Sequence, residues 1–261
     1  MKILYTAELV GKAGVYTYKK ALSELKTRLS WDFLIVNADG ATGGNGLGRT
    51  HAAYIRKLGA NVITLGDCCF YKKDLTENID KMPYILRPEN FNPQAPGIGI
   101  KIYKTASEEK IAVVVLMGQN GFNRLHVNSP FAALPDLFEK LKKQTPYIIV
   151  DFHAQASAEK KTFFHAAAGL CSAVIGSHTR VQTADETILP GGTAVISDAG
   201  RTGSRLSVGG CDINSRIKEY ISGIPDWTRE TWEEPEFQGV FLELGKNGKA
   251  ISIERIQLAT Q

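Results

Sequence analysis

Six short apolar runs, each followed by a turn that carries a glycine or an acid, limit this chain to a small set of folds. The runs are Ile3 to Tyr5, Phe33 to Val36, Val62 to Leu65, Ile111 to Met117, Tyr147 to Val150 and Ala173 to Ile175. Between them lie stretches of helical period, the pattern of a mainly parallel sheet covered by helices and therefore of the α/β class. Ala21, Leu22, Leu25 and Leu29 mark one amphipathic helix, and Phe131, Leu134, Leu137, Phe138 and Leu141 another. A helix holding Ala52, Ala53 and Leu58 is expected to stop at Gly59, because glycine readily takes the left-handed conformation of a C′ position. Beyond Asp212, the residues Ile213, Ile217, Tyr220 and Ile221 share one helical face. The segment GVFLELGKNGKAISIERI predicts two strands joined by an Asn247-Gly248 turn, a dipeptide that favours hairpins. With no repeat, low-complexity segment or linker in its 261 residues, one domain over 1–261 is expected.

Composition mainly excludes. The 31 Lys+Arg against 27 Asp+Glu leave a formal +4 without any run of like charge, so neither a nucleic-acid tail nor a membrane patch is indicated. Cys68, Cys69, Cys171 and Cys211 lack CxxC spacing and read as reduced thiols, which predicts a cytoplasmic protein. MKILYTAELVG has too short an apolar stretch for a signal peptide or membrane span and is expected to form a first strand. The cluster Gly43-Gly-Asn-Gly-Leu-Gly48 is not GxGxxG and follows the second run, and no Walker motif or GxSxG elbow is present.

The residues after the runs carry the chemistry. Glu8, Asp39, Asp67, His153 and His178 each lie within a few residues of the C-terminal end of a different run, the edge where open α/β sheets bind ligands. One such residue alone is a turn former or a helix cap; five on successive strands predict potential metal ligands converging on one rim. In His178-Thr179-Arg180 a second histidine would complete a ligand pair, whereas a guanidinium offers no lone pair and repels a cation. Arg180 is therefore either a solvated side chain or the charge-assisted partner of Glu8 or Asp39.

At these residues the chain resembles the YmdB-like family of bacterial metallophosphoesterases, within the calcineurin-like superfamily. The most specific strings are LRPENFNPQAPGIG at 86–99, VDFHAQASAEK at 150–160, VQTADETILPGGTAVISDAGRTG at 181–203 and SIERI at 252–256. The resemblance implies a four-layered α/β/β/α sandwich, a two-metal centre that hydrolyses phosphodiesters such as cyclic nucleotides, and a homo-oligomer. In that chemistry two cations about 3.5–4 Å apart clamp the phosphate and stabilise both attacking and leaving oxygens. Oxygen and imidazole ligands suit Fe, Mn or Zn.

Carried over by position, the family's first-strand aspartate is Glu8, and its bridging Glu-Asn pair is Asp39-Gly40. Its Asn-His pair is Asp67-Cys68, so the histidine assisting the leaving group becomes a thiol. His153 and His178 match, while the last histidine of the HTH motif is Arg180. The resemblance thus leaves one cation a set of Asp39, Asp67, His153 and His178, while the other, drawing on Glu8 and Asp39, meets Arg180. At most one divalent transition metal per chain is expected. Two readings remain open: a phosphodiesterase that keeps one metal and uses Arg180 and Cys68 in catalysis, or a pseudoenzyme that binds a small phosphodiester or nucleotide ligand without turnover.

Overall fold

The computed structural model describes residues 1–122, 125–132, 134–226 and 229–260. Positions 123 and 124 of the segment GQNGFNRLHVNSPF lie outside the described residues. The apolar runs divide between two sheets. The first holds β1 (Lys2–Thr6), β2 (Glu8–Leu9), β3 (Phe33–Asn37), β4 (Val62–Thr64), β5 (Ile85–Leu86), β12 (Arg201–Ser204), β13 (Pro235–Leu244) and β14 (Ala250–Ala259). The second holds β6 (Ile100–Lys104), β7 (Lys110–Met117), β8 (Tyr147–His153), β9 (Ala173–Ser177), β10 (Thr187–Leu189) and β11 (Thr193–Ile196).

The centre of each sheet is parallel: β1, β3, β4 and β5 in one, β7, β8, β9 and β11 in the other. Antiparallel strands flank both centres. The β13–β14 hairpin lays β13 against β1, while β6 and β10 pair with β7 and β11. The helix-covered parallel strands expected from the runs are thus the centres of two mixed sheets, the two inner layers of the expected four-layered sandwich. A strand covered on both faces is apolar throughout, so its run does not reveal which sheet it joins.

Alternation along the strands builds three apolar layers. Ile3, Tyr5, Phe33 and Ile35 face Val113, Val115, Ile149 and Ile175 between the sheets. Leu4, Leu34 and Val36 point outward to Tyr18, Leu22 and Leu25 of α1 (Gly11–Arg28) and to Ala52 and Ile55 of α2 (Arg49–Lys57). On the opposite face Ile148, Val150 and Phe152 meet Phe138 of α4 (Leu134–Lys142) and Phe163 of α5 (Ser157–Ala167). The result is an α/β/β/α sandwich. Of the shorter helices, α3 (Lys73–Thr76) follows β4, and α6 (Ile213–Ser222) is capped by Asp212, whose side chain accepts the Ser215 N–H, and ends at Gly223 in the left-handed region. Among the described residues nothing covers the apolar face of α6: Ile217, Tyr220 and Ile221 are 50%, 81% and 83% exposed. No helix among the described residues is long and apolar enough to cross a membrane.

Candidate metal centre

Because β1, β3 and β4 are parallel, as are β8 and β9, the chain leaves all of them at one rim between the two sheets. The first sheet delivers Glu8, Asp39 and Asp67; the second delivers His153, His178 and Arg180. His153 Nε2 lies 2.7 Å from Asp67 Oδ1, and His178 Nδ1 lies 3.2 Å from the same oxygen and 3.1 Å from His153 Nε2. Asp39 Oδ2 is 3.8 Å from His153 Nε2. Asp39 is fixed by backbone, accepting the Gly66 N–H at 2.6 Å and the Cys68 N–H at 3.1 Å. Only glycine fits at position 66, since a Cβ there would stand 2.2 Å from the His153 ring. The ring of Phe122 closes over both imidazoles, with centroids 6.1 Å from His153 and 4.9 Å from His178.

Charge in this cluster is unevenly placed. Burial pushes Asp39 up to about 7, with the Asp67 and Glu8 carboxylates adding to the rise against the pull of His153. Burial also opposes the charge of Asp67, but hydrogen bonds to His153 and His178 hold it well below the usual carboxylate range. In His153 burial disfavours the cation, yet Asp67 and the other carboxylates overcome it and raise the imidazole to about 9. Asp67 and His153 thus favour each other's charged form across a 2.7 Å contact. The Cys68 thiol, buried beside three carboxylates, is pushed far above its ordinary value and sits 3.6 Å from Asp67 Oδ2 as a neutral donor.

A few ångströms along the rim the chemistry changes. Arg180 donates from Nε at 3.0 Å and from Nη2 at 2.6 Å to the same oxygen of Glu8, Oε1. Its remaining bonds go to the carbonyls of Gly44 (2.8 Å) and Gly209 (3.2 Å). The Glu8 side chain is 1% exposed and that of Arg180 19%, so the pair is largely desolvated. The partner is Glu8 and not Asp39. Gly40 makes room for it: a Cβ there would lie 2.6 Å from Glu8 Oε1 and 2.8 Å from Arg180 Nη2. Arg180 also lines a cavity of about 870 Å³ together with Gly43, Lys72, Val208 and Arg216.

The loop that carries both His178 and Arg180 is strained, with φ of 100° and 59° at these two residues. Asp198 holds it, accepting the N–H and hydroxyl of Thr179 at 2.9 and 2.7 Å. Lys160 Nζ neutralises Asp198 at 3.0 Å, both side chains being buried. His126 and His165 are exposed, and among the described residues neither joins a candidate ligand group.

Residues 4–256 match the family described as YmdB-like protein. The chain belongs to the YmdB-like family. It is 36% identical over 257 residues to the 2′,3′-cyclic-nucleotide 2′-phosphodiesterase of Bacillus subtilis, covering 98% of this chain and 96% of that protein. A novel phosphatase from Mycoplasma pneumoniae superposes with a TM-score of 0.91 at 32% identity, over 99% of this chain and 93% of that one. A hypothetical protein from Thermus thermophilus does so with a TM-score of 0.92 at 27% identity, over the whole of both chains. The YmdB-like chain is thereby a metallophosphoesterase family member, which implies a divalent metal. The donors fit one: single atoms of Asp67, His153 and His178 lie within 4.8 Å of one another, as do those of Asp39, Asp67 and Cys68. Glu8 belongs to neither group, its Oε1 being taken by Arg180. The side chains beneath and beside this YmdB-like site, namely Asp151, Ser177, Lys160, Asp198 and Phe122, gave no signal in the sequence, because each reads as an ordinary strand, turn or core residue.

Proposed function

We propose that this chain is a metallophosphoesterase-family protein whose two-metal site has become degenerate, with weak or no phosphodiesterase activity toward substrates such as 2′,3′-cyclic nucleotides. The observation that carries this reading is the Arg180 guanidinium bound twice to Glu8 Oε1. A fixed cation there satisfies the carboxylate and offers no coordination position. Asp39, Asp67, His153 and His178 would hold at most one Fe, Mn or Zn ion, which supplies Lewis-acid polarisation of a phosphoryl oxygen. The neutral Cys68 thiol is poorly matched to protonating a leaving group near neutral pH, where an effective acid titrates close to the working pH.

A second reading keeps activity. Arg180 lines the 870 Å³ cavity, which supports a role as an electrophile toward a phosphate bound there, in place of the second metal. In that case Cys68 is the proton donor. The same cavity supports a pseudoenzyme that binds a small phosphodiester or nucleotide without turnover. A homo-oligomer is proposed from the uncovered face of α6, and a cytoplasmic location is supported by the unpaired Cys68, Cys69, Cys171 and Cys211.

The deciding experiment is elemental analysis of protein purified without chelator, alongside hydrolysis of a 2′,3′-cyclic nucleotide with Mn²⁺. The expected result is no more than one metal per chain and turnover near background. Two tightly bound metals would overturn the degenerate-site reading. Turnover abolished by Arg180→Ala and by Cys68→Ala would establish the active one-metal enzyme.

A further inference from the structure

Just beneath the candidate metal centre a second set of side chains converges on Asp151. Each sits shortly before a site residue on the same stretch of chain: Tyr5 before Glu8, Asn37 before Asp39, Thr64 before Asp67, Asp151 before His153 and Ser177 before His178. All five are buried to within 1% of complete. Asp151 Oδ2 accepts hydrogen bonds from Tyr5 Oη at 2.7 Å, Thr64 Oγ1 at 2.5 Å and Asn37 Nδ2 at 3.2 Å, and its Oδ1 accepts from Ser177 Oγ at 2.7 Å. Tyr5, Asn37 and Thr64 belong to β1, β3 and β4 of the first sheet, and Asp151 and Ser177 to β8 and β9 of the second. One carboxylate therefore ties together the strand ends of both sheets. Asn37 extends the link, its Oδ1 accepting the Asp39 N–H at 3.1 Å.

The direction of these bonds fixes an imidazole. Ser177 has a single hydroxyl hydrogen, and it is donated to Asp151 Oδ1. Toward His153 Nδ1, 3.0 Å away, Ser177 Oγ is then the acceptor, and Nδ1 carries a hydrogen. That leaves Nε2 as the nitrogen turned to Asp67 and His178. Histidines that ligate metals are commonly held in this way, with the second ring N–H given to a neighbouring acceptor.

We propose that Asp151 is a positioning residue, which acts through Ser177 to hold His153 with Nδ1–H inward and Nε2 facing the centre, and sets the register between the two halves of the site. The proposal is independent of whether the centre is catalytically degenerate. Glu8, Asp39 and Asp67 ride on one sheet and His153, His178 and Arg180 on the other, so the site exists only while the two sheets keep their relative position. Apolar contacts between the sheets tolerate sliding; four hydrogen bonds on one carboxylate do not.

The test uses the full chain labelled with ¹⁵N-histidine and stripped with chelator. Wild type should show one slowly exchanging Nδ1-bound proton, assigned to His153 by its loss in His153→Gln. Ser177→Ala should abolish that signal while leaving the circular dichroism of the fold unchanged. Zn²⁺ affinity, measured by calorimetry, should weaken about 10–100-fold in Ser177→Ala and in Asp151→Asn. Tyr5→Phe, which removes a cross-sheet donor but no link to His153, should lower the denaturation midpoint and keep the signal. A folded Ser177→Ala protein that retains both the protected Nδ1 proton and wild-type Zn²⁺ affinity overturns the proposal. If Asp151→Asn fails to fold, Ser177→Ala decides alone. If wild type binds no Zn²⁺, loss of the proton signal in Ser177→Ala supports the assignment and its persistence overturns it.

Discussion

Two ends of one buried rim hold charge in opposite ways. Around Asp67 a carboxylate oxygen, His153 Nε2 and His178 Nδ1 crowd within 3.2 Å of one another, an arrangement satisfied by protons or by a cation. Around Glu8 the charge is already matched, because Arg180 gives two N–H groups to one oxygen and its other donors to backbone carbonyls. The strands, turns and backbone that present the two ends are of one kind. A shared scaffold therefore does not make a shared chemistry: one end gathers side chains that could hold a metal ion, and the other is closed by an ion pair.

The largest expected effect strikes both ends at once. Lys160→Met strips Asp198 of its buried partner and releases Thr179, between His178 and Arg180; breaking such a pair from one side costs about 3–5 kcal/mol. Chemical denaturation should show that loss, and an unchanged midpoint would mean that the loop is held by other contacts.

Restoring the family's residues at both ends should come next in size. The combined variant Glu8→Asp, Asp39→Glu, Gly40→Asn, Asp67→Asn, Cys68→His and Arg180→His is expected to hydrolyse a 2′,3′-cyclic nucleotide with Mn²⁺ about 10²-fold faster than wild type. Single reversions should do little, since groups that act as a unit are not additive. Equal rates for wild type and the combined variant would erase the contrast between the two ends.

Metal linkage separates them more sharply. Zn²⁺ at about 100 times its Kd should stabilise wild type by about 2.7 kcal/mol. That shift should vanish in His178→Ala and persist in Arg180→Ala, followed by thermal melting with and without metal. Arg180→Ala should instead lower metal-free stability by about 1–3 kcal/mol, because Glu8 is left buried without its partner. A metal-dependent shift lost equally in both variants would merge the two ends into one site.

Gly40→Ala tests the same end from the side of space. Its methyl would press on Glu8 Oε1 and Arg180 Nη2, so a loss of about 1–3 kcal/mol is expected, and a smaller one in the Arg180→Ala background. The smallest effect concerns α6: Ile217→Asp with Ile221→Asp should change the stability of the chain itself by no more than about 0.5 kcal/mol. If the proposed homo-oligomer forms through α6, light scattering should give a lower mass for the double variant than for wild type; equal masses would remove α6 as its contact.

Much of this was legible in the residues. Each apolar run corresponds to a strand, Gly59 and Asn247-Gly248 fall at a helix end and a hairpin turn, and the acids and histidines after the runs reach one rim. These features are local: period, turn chemistry and the position of a residue after a strand are written in consecutive letters. The resemblance added the four layers and the altered ligand positions.

Other decisions needed the third dimension. Which strand joins which sheet depends on contacts between runs that look alike, since a strand buried on both faces carries no mark of its neighbours. Whether Arg180 meets Glu8, Asp39 or water depends on a loop at positive φ and on the missing side chain of Gly40. The role of Asp151 is the clearest case. In sequence it is one acid within VDFHAQASAEK; only when two sheets close does it meet Tyr5, Asn37, Thr64 and Ser177. Hydrogen bonds form between atoms near in space, and the chain sets only which atoms are near in order. The sequence by itself determined the strands, the helices and the side chains available at the rim; the tertiary structure decided which charges are paired, and with what.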